Sequence, residues 1–241
     1  MSVTSAIKLW GYPSSLQDIT DLFISHLLGK ISAIPWSEQG LNEETGTIQE
    51  QLLKLNRKGW WSVASQPAVN GVRSDDRVFG WGPRGGFVFQ KAFVELFLPS
   101  GDWKVLKDKL TSEKYKGEVS FYASNAKGDF VSSDIQGDGA NGDGERGGST
   151  NAVTWGAFPG KEIITPTIIE EVSFRAWAEE AFGIWAEWAH VYAGPRGRGP
   201  EDGKGKQSKE LIEKVREDVW LVNVIHHGYV EQEGLWELLL S

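Results

Sequence analysis

Along "SSLQDITDLFISHLLGKI" one side recurs at intervals of three and four: Leu16, Ile19, Leu22, Phe23, His26 and Leu27. That period predicts a helix with one buried side, capped by Ser14 or Ser15 and ended by Gly29. A second helix is predicted from Glu44 through Leu55, with Ile48, Leu52, Leu53 and Leu55 apolar and Asn56 to Gly59 breaking it. The period then changes. "WWSVASQPAV" reads as a strand stopped at Pro67, and the alternating aromatics of "FVFQKAFVELFL" (87–98) favour a strand as well. "DWKVLKDKLTSEKY" predicts a helix with an exposed basic side, and "EVSFYASNAKG" a strand running into a turn. Phe174, Trp177, Ala178, Ala181, Trp185, Trp188 and Tyr192 form a helical stripe that Gly194 and Pro195 stop. Ser208 can cap a short helix through Glu217, and "VWLVNVIHH" reads as a buried strand.

Helices and strands alternate here without a regular βαβ rhythm. The expectation is a single α+β domain over residues 1–241, with mixed β-sheets in the core flanked by helices. Residues 134–150, "DIQGDGANGDGERGGST", and 195–207, "PRGRGPEDGKGKQ", have almost no apolar side chain. They cannot offset their ordering entropy by burial and are expected to be mobile loops.

Composition narrows the function classes. Twelve Trp and 11 Phe among 241 residues predict an aromatic core, with some rings free to serve an interface. A net charge of −8 argues against a nucleic-acid groove. The lack of cysteine excludes disulfides and thiolate metal sites and fits a reducing compartment. No window approaches 18 uninterrupted apolar residues, and the first residues lack a basic segment followed by an apolar run. A cytoplasmic protein with no membrane or nucleic-acid partner is expected.

Candidate chemistry is sparse. Gly80-x-Gly82-x-x-Gly85 has the spacing of a dinucleotide fingerprint, which must follow a buried strand and open a helix. The preceding "GVRSDDRV" is polar, and Pro83 would remove an amide donor, so a turn entering a buried strand is the better reading. A calcium loop placed on 139–150 fails, with Gly139 in the first ligand position and Thr150 in the twelfth. His226 and His227 would point to opposite faces of a strand, and His26 reads as a partnered core histidine. No metal site and no catalytic constellation is predicted. What remains is Glu44, Thr45, Ser62, Ser65, Thr154 and Thr167, which ordinary capping and turn chemistry would also explain.

The blocks "IPWSEQGLNEET", "LNRKGWWSVASQPAVNG", "GWGPRGGFVFQKAF", "TWGAFPGKEIITPT" and "WLVNVI…GLWELL" occur in this order from about Leu9 onward. Together they resemble the C-terminal regulatory domain of eukaryotic methylenetetrahydrofolate reductase. The resemblance implies an allosteric domain that binds S-adenosylmethionine, an inhibitor, with S-adenosylhomocysteine competing, and through which the family forms homodimers. It implies no catalytic residue and no cofactor in this chain. FAD and NADPH would belong to a catalytic flavin barrel, reached through a linker; both are absent from these 241 residues, so no reductase activity and weaker ligand binding are expected of them alone. A structural dimerisation module that has lost ligand sensing is the alternative.

By motif, the implied ligand contacts are Glu44 and Thr45 of "NEETG", Ser62 and Ser65 of "SVAS", Thr154 of "VTWG" and Thr167 of "TPTII". Ser62 stands where the animal members carry threonine. A carboxylate suits the sulfonium cation, and hydroxyls suit adenine edges and the ligand carboxylate. Which hydroxyl meets which group stays open at this level.

Overall fold

The computed structural model describes residues 10, 13, 15–32, 34, 40–80, 85–133, 149–157, 165–193, 204–229 and 233–241. Within 149–157, 165–173, 188–193 and 204–208 only the backbone course is described. Helix α1 (Leu16–Leu27) begins where Ser15 Oγ accepts the Asp18 amide at 3.1 Å. It ends at Gly29, whose φ of 72° turns the chain into a C-terminal cap that few side chains tolerate. The helix predicted from Glu44 to Leu55 is two pieces: a 3-10 turn (Glu43–Thr47) and α2 (Gln49–Arg57), separated by the fully buried Ile48.

The strands follow as β1 (Trp61–Gln66), β2 (Val69–Arg73), β3 (Phe87–Gln90) and β4 (Phe93–Pro99), then helix α3 (Ser100–Leu110). After α3 come β5 (Val119–Asn125), β6 (Phe130–Ser132), β7 (Ser149–Ala157), β8 (Thr165–Glu170) and α4 (Glu171–Ala193). The last elements are α5 (Lys204–Glu217), β9 (Val219–His226) and α6 (Glu233–Leu240). They build a five-stranded sheet in the order β1-β4-β9-β5-β6 and a four-stranded sheet in the order β2-β3-β7-β8.

The α+β class expected from the sequence holds. Where mixed sheets were expected, every pair of these strands is antiparallel. The run 87–98 is two strands in two different sheets, with Lys91 and Ala92 as the crossing, and the run through Pro67 divides the same way. Two glutamines tie the crossings together. Gln66 Nε2 donates to Lys91 O at 2.7 Å, and Gln90 Nε2 donates to Pro67 O at 2.9 Å. The expected loops are also shorter: Ser149 and Thr150 already belong to β7, and α5 starts at Lys204, ahead of the predicted cap Ser208. The remainder of both segments, 134–148 and 195–203, lies outside the described residues, as do Trp188 and Tyr192 as side chains.

Both faces of the five-stranded sheet are covered, so β4, β5 and β9 are buried almost throughout. On one face Phe97 meets Phe182 and Trp185 of α4, each with ring centroids 5.3 Å away, and stacks on Trp61 at 5.5 Å. On the other, Trp103 of α3 packs on Trp220 at 5.4 Å and Phe121 at 5.9 Å. Burial of these rings is the main favourable term in such a core.

A candidate ligand site at the edge of the large sheet

Strand β1 is an edge strand, and its pairing with β4 carries a bulge between Ser62 and Ala64. Ser62 faces Leu96, Ala64 faces Glu95 and Ser65 faces Val94, which leaves Val63 as the extra residue. In an unbroken strand, residues three apart point to opposite faces; the bulge puts Ser62 and Ser65 on the same one. Both line a cavity of about 220 Å³ together with Thr45 and Asn42 from the segment before α2. Phe23, Leu27, Leu41, Leu52 and Phe93 are among its apolar lining.

The hydroxyls here are not occupied with capping. Among the described residues, the Thr45 and Ser65 side chains make no hydrogen bond, and Ser62 makes one, accepting Asn56 Nδ2 at 2.8 Å. The turn-type bond of this segment comes instead from Thr47 Oγ1, which donates to Glu44 O at 2.8 Å. His26 also lines the cavity. Its Nδ1 lies 2.8 Å from Ile31 O, so Nδ1 carries the proton and Nε2 is the acceptor of the neutral ring. Burial pushes the His26 pKa below its ordinary value, against the smaller opposing effect of that bond.

Glu44 is half-buried on the 3-10 turn, and Gln90 Nε2 reaches its Oε2 at 3.3 Å. Through Gln90 the carboxylate is tied to the small sheet. There β3 pairs with β7 so that Phe89 faces Thr154 and Gln90 faces Val153, and β7 pairs with β8 so that Val153 faces Thr167. Thr154 lies on β7 beside β3, and Thr167 on β8 beyond it. By register Thr167 shares the face of Gln90 and Thr154 falls on the other face, and their side chains lie outside the described residues. Of the six residues singled out in the sequence, Thr45, Ser62 and Ser65 share one cavity. Glu44 adjoins Thr45 in the chain and bonds to Gln90.

Asn56, Gln90 and a cavity role for His26 were not visible in the sequence. The available signal was a polar residue on an apolar side, as with Asn56 beside Leu52 and Leu55, which ordinary surface exposure mimics. His26 is the partnered core histidine the sequence suggested, 3% exposed, and also part of the cavity wall. His227 is held by Ser120 Oγ at 2.7 Å and Gly117 O at 2.9 Å. Among the described residues no three His, Cys, Asp or Glu gather as metal ligands, and no helix is long and apolar enough to cross a membrane.

Two glycines of the fingerprint-like stretch, Gly80 and Gly85, occupy tight backbone positions ahead of a strand. A β-carbon on Gly80 would lie 2.2 Å from Asp76 O, Gly85 has a φ of 78°, and strand β3 follows rather than a helix. Trp81 to Arg84 and most of the calcium-loop window lie outside the described residues.

The family model of the methylenetetrahydrofolate reductase S-adenosylmethionine-binding regulatory domain matches residues 5–240. The chain belongs to this family. It is similar to methylenetetrahydrofolate reductase 2 of Schizosaccharomyces pombe, 48% identical over 98% of this chain and 33% of that protein. Methylenetetrahydrofolate reductase 2 of Saccharomyces cerevisiae is 34% identical over 100% of this chain and 37% of its own length. A probable methylenetetrahydrofolate reductase (NADH) of rice is 38% identical over 92% and 34%. The chain spans about a third of the length of these curated relatives, and it corresponds to their regulatory part. A regulatory role in methylenetetrahydrofolate reductase, with S-adenosylmethionine as the ligand class, follows from that membership.

Proposed function

We propose that this chain senses S-adenosylmethionine at the cavity beside β1 and passes its occupancy to a methylenetetrahydrofolate reductase as inhibition. The carrying observation is that Thr45, Ser62 and Ser65 line one cavity, with Thr45 and Ser65 making no side-chain hydrogen bond and Ser62 only accepting one from Asn56. At about 220 Å³ the cavity is smaller than the roughly 300–1,000 Å³ that encloses a whole drug-sized ligand. It therefore takes one end of an adenosyl ligand, and the other end runs toward Glu44, whose carboxylate favours the sulfonium. Thr167, whose register position shares the face of Gln90, extends the site from the small sheet, whereas Thr154 falls on the other face by register.

S-adenosylhomocysteine shares every group except the sulfonium methyl and charge, and it competes for the same place. The working protein is a cytoplasmic homodimer in which this domain acts on a catalytic part that uses FAD and a nicotinamide. Allostery requires that the ligand favour one of two global states, so binding and inhibition must be measured together.

Isothermal titration of the chain with each ligand tests the reading. Saturable heat with both, with each displacing the other, is the expected result. The absence of heat or thermal shift at millimolar ligand, with a dimer by light scattering, would leave the structural dimerisation module in its place.

A further inference from the structure

Asn56 stands behind Ser62 on α2, is completely buried and does not line the cavity. Its Nδ2 lies 2.8 Å from Leu52 O and 2.8 Å from Ser62 Oγ. A backbone carbonyl only accepts, so the atom facing Leu52 O must be the NH2 group, and the orientation of the amide is settled. One amide proton goes to Leu52 O and the other to Ser62 Oγ.

Ser62 is thereby an acceptor toward Asn56, and its own single proton cannot point back at an NH2 group. Among the described residues that proton has no recorded acceptor. Ser62 is 2% exposed and lines the cavity, which is where the proton is left to go.

We propose that Asn56 is a positioning residue that fixes Ser62 as a hydrogen-bond donor into the cavity, so that the ligand atom meeting Ser62 is an acceptor. This rests on the reading of the cavity as the adenosyl-ligand site. Three acceptor chemistries qualify in S-adenosylmethionine and S-adenosylhomocysteine: a carboxylate oxygen, a purine ring nitrogen and a ribose oxygen. The donor role excludes the ammonium group and the purine amino group from this position.

The test is a double-mutant cycle on the full chain, read by titration with S-adenosylhomocysteine and with analogues lacking the carboxylate, single ribose hydroxyls or single purine nitrogens. Ser62→Ala is expected to weaken S-adenosylhomocysteine roughly tenfold, and Ser62→Thr to restore it. Asn56→Leu is expected to weaken binding in the parent and to add nothing in the Ser62→Ala background. The analogue missing the accepted atom is expected to be indifferent to Ser62→Ala, which tells the carboxylate, the ribose and the purine apart.

Equal losses from Asn56→Leu in both backgrounds would make Asn56 merely structural and overturn the proposal. So would full affinity in Ser62→Ala. If Asn56→Leu does not melt cooperatively, Asn56→Asp replaces it. The introduced carboxyl draws the Ser62 proton to itself, and binding is expected to fall as far as in Ser62→Ala; unchanged binding overturns the proposal. No binding by the parent chain overturns the site reading itself, a result distinct from all of these.

Discussion

The carboxyl at the centre of the large sheet and the hydroxyls at the edge where ligand is proposed to bind differ in their partners. Inside the sheet, Glu95 is 5% exposed, and both of its oxygens are occupied, by Trp177 Nε1 from α4 and by Asn223 Nδ2 from β9. At the edge, the Thr45 and Ser65 hydroxyls make no bond although both line a cavity. Both hydroxyls are half-buried and therefore open to exchange a solvent bond for one to a ligand. The difference separates residues that hold the domain together from those proposed to meet its ligand.

The most drastic way to break the comparison is to remove a central ring. Trp61 is fully buried and touches Trp10, Phe23, Phe97 and Trp185, so Trp61→Ala is expected to cost about 3–5 kcal/mol in a urea melt. It would abolish ligand binding only by unfolding the chain. If the variant kept the parent's stability, the aromatic cluster would not be the core.

Next in size is the pH response of Glu95. Burial pushes its pKa from the ordinary 4.5 up to about 7, against the opposing effects of the Asn223 and Trp177 hydrogen bonds. The folded value is raised, so the stabilising contribution is full below 4.5 and is lost as pH rises through about 7, on the order of 3 kcal/mol. Glu95→Gln is expected to remove that loss. Asn223 Oδ1 has no partner, and turning the Asn223 amide over would let it accept from a neutral group at position 95. Denaturant midpoints at pH 5 and pH 8 check this, and parallel pH profiles for parent and variant would reject it.

At the edge the sign reverses. The lowered pKa of His26 means that its contribution is present above the ordinary 6.5 and is lost as pH falls through the lowered folded value. In the Glu95→Gln background the remaining loss on acidification is expected to follow His26. His26→Phe should then flatten the profile, and a profile it leaves unaltered would place the titration elsewhere.

A charge effect of roughly tenfold is expected from Glu44→Gln on S-adenosylmethionine, with a smaller effect on S-adenosylhomocysteine. Stability should hardly change, because Glu44 is half-buried and Gln90 keeps its bond to Pro67 O. Equal losses for both ligands would mean that Glu44 does not face the sulfonium.

Much of this architecture was legible in the residues because it is local. Ser15, the three-and-four spacing and Gly29 mark α1, and each acts within a turn of its own position. The division of 87–98 between two sheets was not legible. Its alternation continues across Lys91 and Ala92, and what separates the strands is pairing with β7 on one side and β9 on the other. The site was harder still. Ser62 and Ser65 should lie on opposite faces by spacing alone, and only the β1–β4 register, with its extra Val63, brings them together. The resemblance to a family supplied these residues; no periodicity would have.

The smallest expected effect divides those two serines from each other. They share a face and a cavity, yet Ser62 accepts from Asn56 and Ser65 makes no bond in the fold. Ser62→Ala strands a buried amide proton of Asn56 and is expected to cost about 1 kcal/mol of stability as well as affinity. Ser65→Ala strands nothing, so its melt should match the parent within about 0.5 kcal/mol while ligand affinity falls severalfold. Thermal melts with and without S-adenosylhomocysteine read both quantities in one experiment. If Ser65→Ala lowered the unliganded melt as far as Ser62→Ala, its hydroxyl would belong to the fold, and the edge would lose its distinction from the centre.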